Sequence, residues 1–360
     1  MQVLAALVGL VLVGIILRDA FETIILPRRV SAQYRVSKLF YQATWQVYSS
    51  VGRRIKSADR RETFLGSYGP LSLIFLFVLW GSVLIAGYGL LLWATNVEIG
   101  SNSLYMSGTT FTTLGIGDFT PKTSLAKLVT VVEAGTGFGF FAVLISYLPV
   151  LYQSFSRREV QISMLDEWAG SPPSAGELLQ RAIGAGEVEE LVRLMERFEP
   201  WTAELLESHL SYQVLAYFRS QHENQSWLAA LTSILDLSAL QQASGAGKRA
   251  WASRRVYAMG RHAFGDLSQV LRATPDFGAH DRMSDAELGK LHELLAEAGV
   301  KVERAVFADR LAQLRKGYEP YAIALSRELL MDLPPWMPLS PRHDNWETTA
   351  WEGAAPGLLH

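Results

Sequence analysis

The chain has 360 residues, of which 49% are hydrophobic and only 19% charged, against about 25% charged residues in an ordinary soluble domain. Its formal net charge of −2 points to no polyanionic partner such as a nucleic acid. The absence of cysteine excludes disulfides, thiol catalysis and cysteine-ligated zinc or iron–sulfur sites. This composition indicates that part of the chain lies in membrane lipid.

Three apolar segments follow one another in the first half of the chain. Residues 3–17 and residues 71–94 carry no charge, and residues 128–155 carry one, on Glu133. A spanning α-helix needs about 20 apolar residues, so the second and third segments qualify on length alone. They predict two transmembrane helices.

The first segment is shorter and allows two interpretations. Its length suits the hydrophobic region of a signal peptide, but it lacks a basic start and a convincing cleavage site. The apolar pattern also continues to Leu26, directly before Pro27. We therefore predict an N-terminal transmembrane helix over residues 1–26.

The basic residues predict the orientation of these helices. Residues 18–69 contain ten Lys or Arg and four Asp or Glu, and loops rich in Lys and Arg stay on the cytoplasmic side. We expect a multi-pass protein of the cell inner (plasma) membrane, with the N-terminus outside and the C-terminus in the cytoplasm. Within residues 27–69, aromatic and aliphatic residues recur at helical spacing, which predicts an amphipathic helix at the inner membrane face or, equally, a plain linker helix.

The remainder of the chain divides by composition. Residues 156–176 are predicted to be a linker because they end in the stretch WAGSPPSAG. Residues 177–332 predict a helical cytoplasmic domain, which could serve only to assemble the protein, and residues 333–360 form a proline-rich tail. For His209 and His222, 13 positions apart, packing or solvation is favoured over a metal or ligand site.

The connection between the second and third apolar segments contains the run TTFTTLGIGDFTP, residues 109–121. Non-helical backbone at membrane depth is tolerated only where it lines a water-filled path or is buried in protein. The two glycines permit positive φ, so that successive carbonyl oxygens can face one axis, and a ring of such oxygens replaces the hydration shell of a monovalent cation. The preceding residues predict a short helix, with Ser101 or Ser103 as a candidate cap.

The string TTLGIGD resembles the TVGYGD selectivity-filter signature of the potassium-channel superfamily. The order of outer helix, pore helix, filter and inner helix is similar to the two-helix pore module of prokaryotic and two-pore-type potassium channels. The resemblance covers residues 70–155, under a quarter of the chain. It implies an all-α membrane protein with an outer helix at 71–94, a pore helix and filter at 103–118, and an inner helix at 125–155.

The resemblance also implies a site. Potassium, as the permeant ligand, would bind the filter residues Thr113, Leu114, Gly115, Ile116 and Gly117. Residues expected to support the filter are Tyr105, Thr109, Thr110, Thr112 and Asp118. No other cofactor is expected, and because each chain has one filter segment, a closed ring requires a homotetramer.

The filter departs from the family pattern at two positions. Leu114 and Ile116 stand where valine and tyrosine are usual, so the carbonyl ring survives but the tyrosine hydrogen bond is lost. Tyr105 and Met106 replace the paired tryptophans of many pore helices. The residues around the filter are therefore more apolar and hold it less rigidly. A channel that selects only weakly between potassium and sodium is the alternative.

Small residues and a proline mark the third apolar segment. By resemblance, Gly135 or Gly137 lies near the gating hinge, and Pro149 could kink the helix. Close packing of helices at small residues explains the glycines equally well.

Glu133 is the ionisable residue deep in the same segment, and intramembrane carboxylates are by default functional candidates. We predict that it lies behind the filter, hydrogen-bonded to Thr109, Thr110 or Thr112. A cavity-facing carboxylate that attracts cations and a protonated, packed side chain are the alternatives.

These features predict a tetrameric monovalent cation channel, with potassium as the expected ion, that conducts passively and is not an enzyme. A membrane sensor with a vestigial pore is the alternative from another class, followed by an enzyme fused to a membrane anchor.

Overall fold

The computed structural model describes residues 1–26, 35–95, 102–222, 224–245, 247–278 and 281–338, without the side chains of 247–250. All regular elements in these ranges are helices, and three are long and apolar enough to cross a membrane. The predicted all-α membrane protein with a helical C-terminal region is confirmed. The cap candidate Ser101, residues 27–34 of the basic segment and residues 339–360 of the tail lie outside the described residues.

The chain divides into two compact units, Met1–Gln153 and Ser154–His360. The helices of the N-terminal unit are α1 (Gln2–Ala20, extended by a π-helical turn, Phe21–Ile25), α2 (Val36–Gly52), α3 (Ala58–Gly66), α4 (Tyr68–Thr95), α5 (Ser103–Phe111) and the first part of α6 (Ser124–Ala169).

Helix α1 packs along α4, and two glycines allow the two helices to approach closely. A β-carbon built on Gly9 would lie 2.5 Å from the Gly87 carbonyl oxygen, and one built on Gly87 would lie 2.8 Å from Val13. Contact between membrane helices at small residues is a common source of association energy. Because of this crossing, α1 forms part of the packed unit together with α4.

Helix α6 is longer than the predicted inner helix. It runs unbroken to Ala169 and includes Pro149, so most of the interval 156–176 that was interpreted as a linker is helical. The sequence has no glycine or proline from residue 150 to residue 169, and the helix ends where Gly170 adopts a φ of 76°. The non-helical connection between this helix and the next lies at residues 170–174, where Gly, Ser and Pro cluster.

The C-terminal unit is helical throughout its regular elements. After the end of α6, these are α7 (Ala175–Gly184), α8 (Glu190–Ser211), a 3₁₀ turn (Gln213–Tyr217), α9 (Trp227–Ala243), α10 (Gly247–Leu271), α11 (Asp285–Glu297), α12 (Arg304–Arg315) and α13 (Glu319–Leu329). Helix α9 is buried along nearly its whole length and forms the centre of the unit. Asp236 in α9 is buried as well, and its charge is paired with Arg282 at 2.8 Å.

The two histidines considered as a site do not form one. His209 is buried, 3.2 Å from Arg158 and 2.8 Å from the Leu205 carbonyl oxygen, whereas His222 is exposed. Burial and the neighbouring Arg158 charge lower the pKa of His209 to about 3, so the imidazole is neutral at physiological pH. His209 is therefore a packed core histidine.

Candidate ion-conduction site

The chain that follows α5 folds back on the last carbonyls of that helix. The Thr113 amide donates to the Thr110 carbonyl at 3.0 Å, and the amides of Leu114 and Gly115 donate to the Thr109 carbonyl at 2.8 and 3.1 Å. Three successive amides are thereby satisfied by the end of one helix. Among the described residues, no hydrogen-bond donor reaches the carbonyl oxygens of residues 113–117.

Backbone φ alternates in sign along the same segment. Thr113, Gly115 and Gly117 have φ of 59°, 57° and 83°, whereas Leu114 and Ile116 lie outside the left-handed region. Where φ alternates in sign along a chain, successive amides can face one side and their carbonyls the other. No atom lies within 4 Å of a β-carbon built on Gly115, so this position needs glycine for its conformation rather than for space.

Residues 113–117, the predicted filter, are exposed in a single chain. Residues 112–120 are all exposed, and the apolar side chains of Leu114 and Ile116 are 65% and 58% exposed. Exposed apolar side chains that lie close together mark a surface that contacts another protein or a membrane.

The other predicted support residues have identifiable contacts. The Thr109 hydroxyl donates to the Met106 carbonyl at 2.9 Å, and the Thr112 hydroxyl donates to the Gly108 carbonyl at 2.7 Å. Thr110 is half-buried on the same helix. These threonine contacts are local to α5 and do not involve Glu133.

Tyr105 and Asp118 are the remaining predicted support residues. The Tyr105 ring packs edge-on against the ring of Phe119, the residue after Asp118, with 5.9 Å between the ring centroids. The segment that leaves the filter is thus tied to the first half of α5.

Glu133, in α6, packs against α5 and is fully buried. Its carboxyl group contacts the Ser107 hydroxyl, which is also 2.7 Å from the Ile85 carbonyl oxygen. A hydroxyl has one proton, so both contacts are hydrogen bonds only when Glu133 donates to Ser107 and Ser107 donates to Ile85. The predicted threonine partners are replaced by Ser107.

The packing of α6 on α5 explains this partner. A β-carbon on Gly137 would lie 2.1 Å from the Phe111 carbonyl oxygen, so the two helices touch there. One turn earlier in each helix lie Glu133 and Ser107, and side chains four residues apart share a helix face. The contact of Gly137 with Phe111 therefore aligns Glu133 with Ser107. Ser107 could not be predicted as the partner from sequence, because the partner depends on where the two helices cross.

The three hinge candidates have different surroundings. Gly137 packs against Phe111, whereas no atom lies within 4 Å of a β-carbon on Gly135. Pro149 lies inside the continuous helix α6. Close packing thus accounts for Gly137, and a hinge role for Gly135 and Pro149 stays a prediction.

Residues 73–153 match the family model described as an ion channel. The matched range contains most of α4, all of α5, residues 113–117 and the first part of α6. Together with the three apolar helices, it supports a membrane protein with a potassium-channel-like pore module. The match leaves α1 to α3 and the C-terminal unit outside it. No curated protein and no solved structure matches the chain.

Proposed function

We propose that this protein is a homotetrameric channel that conducts monovalent cations through residues 113–117, with potassium as the preferred ion. The observation that carries this proposal is the backbone of that segment. The amides of Thr113, Leu114 and Gly115 bond back to α5, while φ alternates in sign and no described donor reaches the carbonyls. Carbonyl oxygens left free in this way can replace the hydration shell of a cation.

The direction of α5 supports the same assignment. Its C-terminal end adjoins Thr113, and the C-terminus of a helix carries partial negative charge. A cation at the filter is favoured by this charge, and an anion is disfavoured. The proposed activity is passive conduction, with no catalytic step and no cofactor other than the permeant ion.

A weakly selective channel is the second candidate, favoured by the filter side chains. Leu114 and Ile116 are apolar and cannot donate a hydrogen bond to the pore helix, so the diameter of the carbonyl ring is held less firmly than a tyrosine would hold it.

Recording from the purified protein in a planar bilayer tests both candidates. With potassium selectivity, the reversal potential should move by about 59 mV for a tenfold potassium gradient at balanced total salt, the value for one charge per ion. A shift near zero in mixed potassium and sodium would favour the weakly selective channel. No current in any cation gradient would refute conduction and favour a sensor with a vestigial pore.

The oligomeric state follows from the single filter in each chain. One segment supplies one quarter of a carbonyl ring, and in a closed ring neighbouring copies would cover the exposed side chains of Leu114 and Ile116. We therefore expect native mass spectrometry from lipid nanodiscs to give four chains of 40.0 kDa each. A monomer or dimer as the largest species would contradict the proposed pore.

The proposed topology places the N-terminus outside the plasma membrane and the basic segment inside. Because the chain has no native cysteine, single cysteines report accessibility directly. An impermeant maleimide should label Gln2→Cys from outside and Ser57→Cys, in the exposed turn before α3, only from inside. Labelling of Gln2→Cys from the cytoplasmic side alone would reverse the assignment of α1.

A further inference from the structure

A buried carboxylate at the end of α1 joins three helices. Asp19 is 3% exposed. One of its carboxylate oxygens accepts the Ser37 amide and the Trp80 indole N–H, each at 2.9 Å, and the other accepts the Ser37 hydroxyl at 3.0 Å. The Arg35 Nε atom lies 3.8 Å from the second oxygen. Asp19 of α1 thus bonds to both α2 and α4.

For α2, Asp19 acts as a cap supplied from a distant part of the chain. The first amides of a helix have no partner within the helix, and a carboxylate at this end also interacts favourably with the helix dipole. Arg35, the residue at the cap position of α2, provides no side-chain hydrogen bond to the helix. The Ser37 amide, in the first turn of α2, is instead satisfied by Asp19, 18 positions earlier.

For α4, Asp19 holds a core residue in place. Trp80 is fully buried in the cluster that also contains Val13 and Ile16 of α1 and Phe111 of α5. An indole N–H buried in an apolar core needs a partner, and Asp19 is that partner.

Ring contacts connect this point to α6. The Trp80 ring lies 5.9 Å from the Phe77 ring, which packs edge-on against Tyr147 at 6.1 Å. Tyr147 is two residues before Pro149 in α6. A path of direct contacts therefore runs from Asp19 to the helix that is proposed to line the pore.

We propose that Asp19 is a positioning residue that sets the open probability of the channel. It fixes α1 and α2 to α4, and through Trp80 and Phe77 it holds Tyr147 of α6 in its present packing. Helices α1 and α2 lie outside the range that matches the ion-channel family, so this coupling would be a regulatory addition to the pore module. The inference rests on the proposed channel function.

Two substitutions test the coupling in single-channel recordings of the full protein. Asp19→Asn keeps the volume but removes the negative charge that strengthens these hydrogen bonds and puts an NH2 group in place of one oxygen, beside Arg35; Trp80→Phe keeps a ring but deletes the indole donor. We expect each to change the open probability at least threefold while the unitary conductance stays unchanged. Because both substitutions act on the same hydrogen bond, which one weakens and the other deletes, the double variant should show less than the sum of the two effects.

Matched substitutions elsewhere in the same unit serve as controls. Asp59→Asn makes the same chemical change at an exposed position in α3, and Trp93→Phe makes the same change at a half-buried position in α4. Both controls should keep the open probability of the unmodified protein. If Asp19→Asn does not assemble, the comparison of Trp80→Phe with Trp93→Phe decides the question.

Hydrogen exchange at the Ser37 amide separates failure of this inference from failure of channel function. Asp19→Asn should increase the exchange rate of that amide at least tenfold, whether or not the protein conducts. Absence of current in the unmodified protein would refute the channel and leave this contact measurable. If the unmodified protein conducts and both Asp19→Asn and Trp80→Phe have the same open probability as the unmodified protein, the inference is overturned.

Discussion

Replacing Gly117 by alanine is expected to abolish ion current without preventing assembly. Gly117 has a φ of 83°, a conformation that a residue with a β-carbon resists at a cost of roughly 1–2 kcal/mol. The substituted residue should relax toward negative φ and turn the adjacent carbonyl away from the proposed ion path. In a ring of four chains the same defect occurs four times, so single-channel recording should detect no openings.

Gly14→Ala is the matched control for this experiment. Gly14 lies within α1, and no atom lies within 4 Å of a β-carbon built on it. The control should assemble and conduct like the unmodified protein. Unchanged current in Gly117→Ala, with assembly verified by mass, would refute the assignment of residues 113–117 as the filter.

Replacing Glu133 by alanine is expected to change gating strongly. Glu133 is fully buried against Ser107 of α5, so alanine leaves the Ser107 hydroxyl without this partner and opens a void behind the pore helix. The Ser107 hydroxyl keeps its bond to the Ile85 carbonyl, but one buried hydrogen bond is lost, which costs about 0.5–1.5 kcal/mol and is enough to shift an open–closed equilibrium severalfold. We therefore expect altered open probability or inactivation at unchanged unitary conductance.

Glu133→Gln separates the roles considered for this residue. A glutamine amide can donate to Ser107 while Ser107 donates to the Ile85 carbonyl, so the glutamine variant should stay much closer to the unmodified protein than alanine does. Lowered conductance and weaker block by cationic blockers in Glu133→Gln would instead indicate a charge that faces the ion path. Normal gating in Glu133→Ala would leave only a packing role.

Several features of this protein were predictable from residues close together in the chain. The two longer apolar runs predicted transmembrane helices because hydrocarbon thickness sets the number of apolar residues required. A short helix was predicted from the residues before the filter run, and α5 occupies Ser103–Phe111, with Asn102 rather than a serine at its cap position. Glycines at 115 and 117 indicated positive φ, because a local steric rule governs which residues adopt that conformation, and both positions have it.

Other features depended on which helices cross and at what register. Asp19 lies within an apolar helix, and its partners Ser37 and Trp80 lie 18 and 61 positions away. Glu133 was assigned threonine partners, but the close approach of Gly137 to Phe111 aligns it with Ser107. Spacing along the chain specifies the faces of a helix, whereas the partner of a buried polar group is decided by tertiary packing, because its hydrogen bonds must be made to whatever the neighbouring helix presents at that depth.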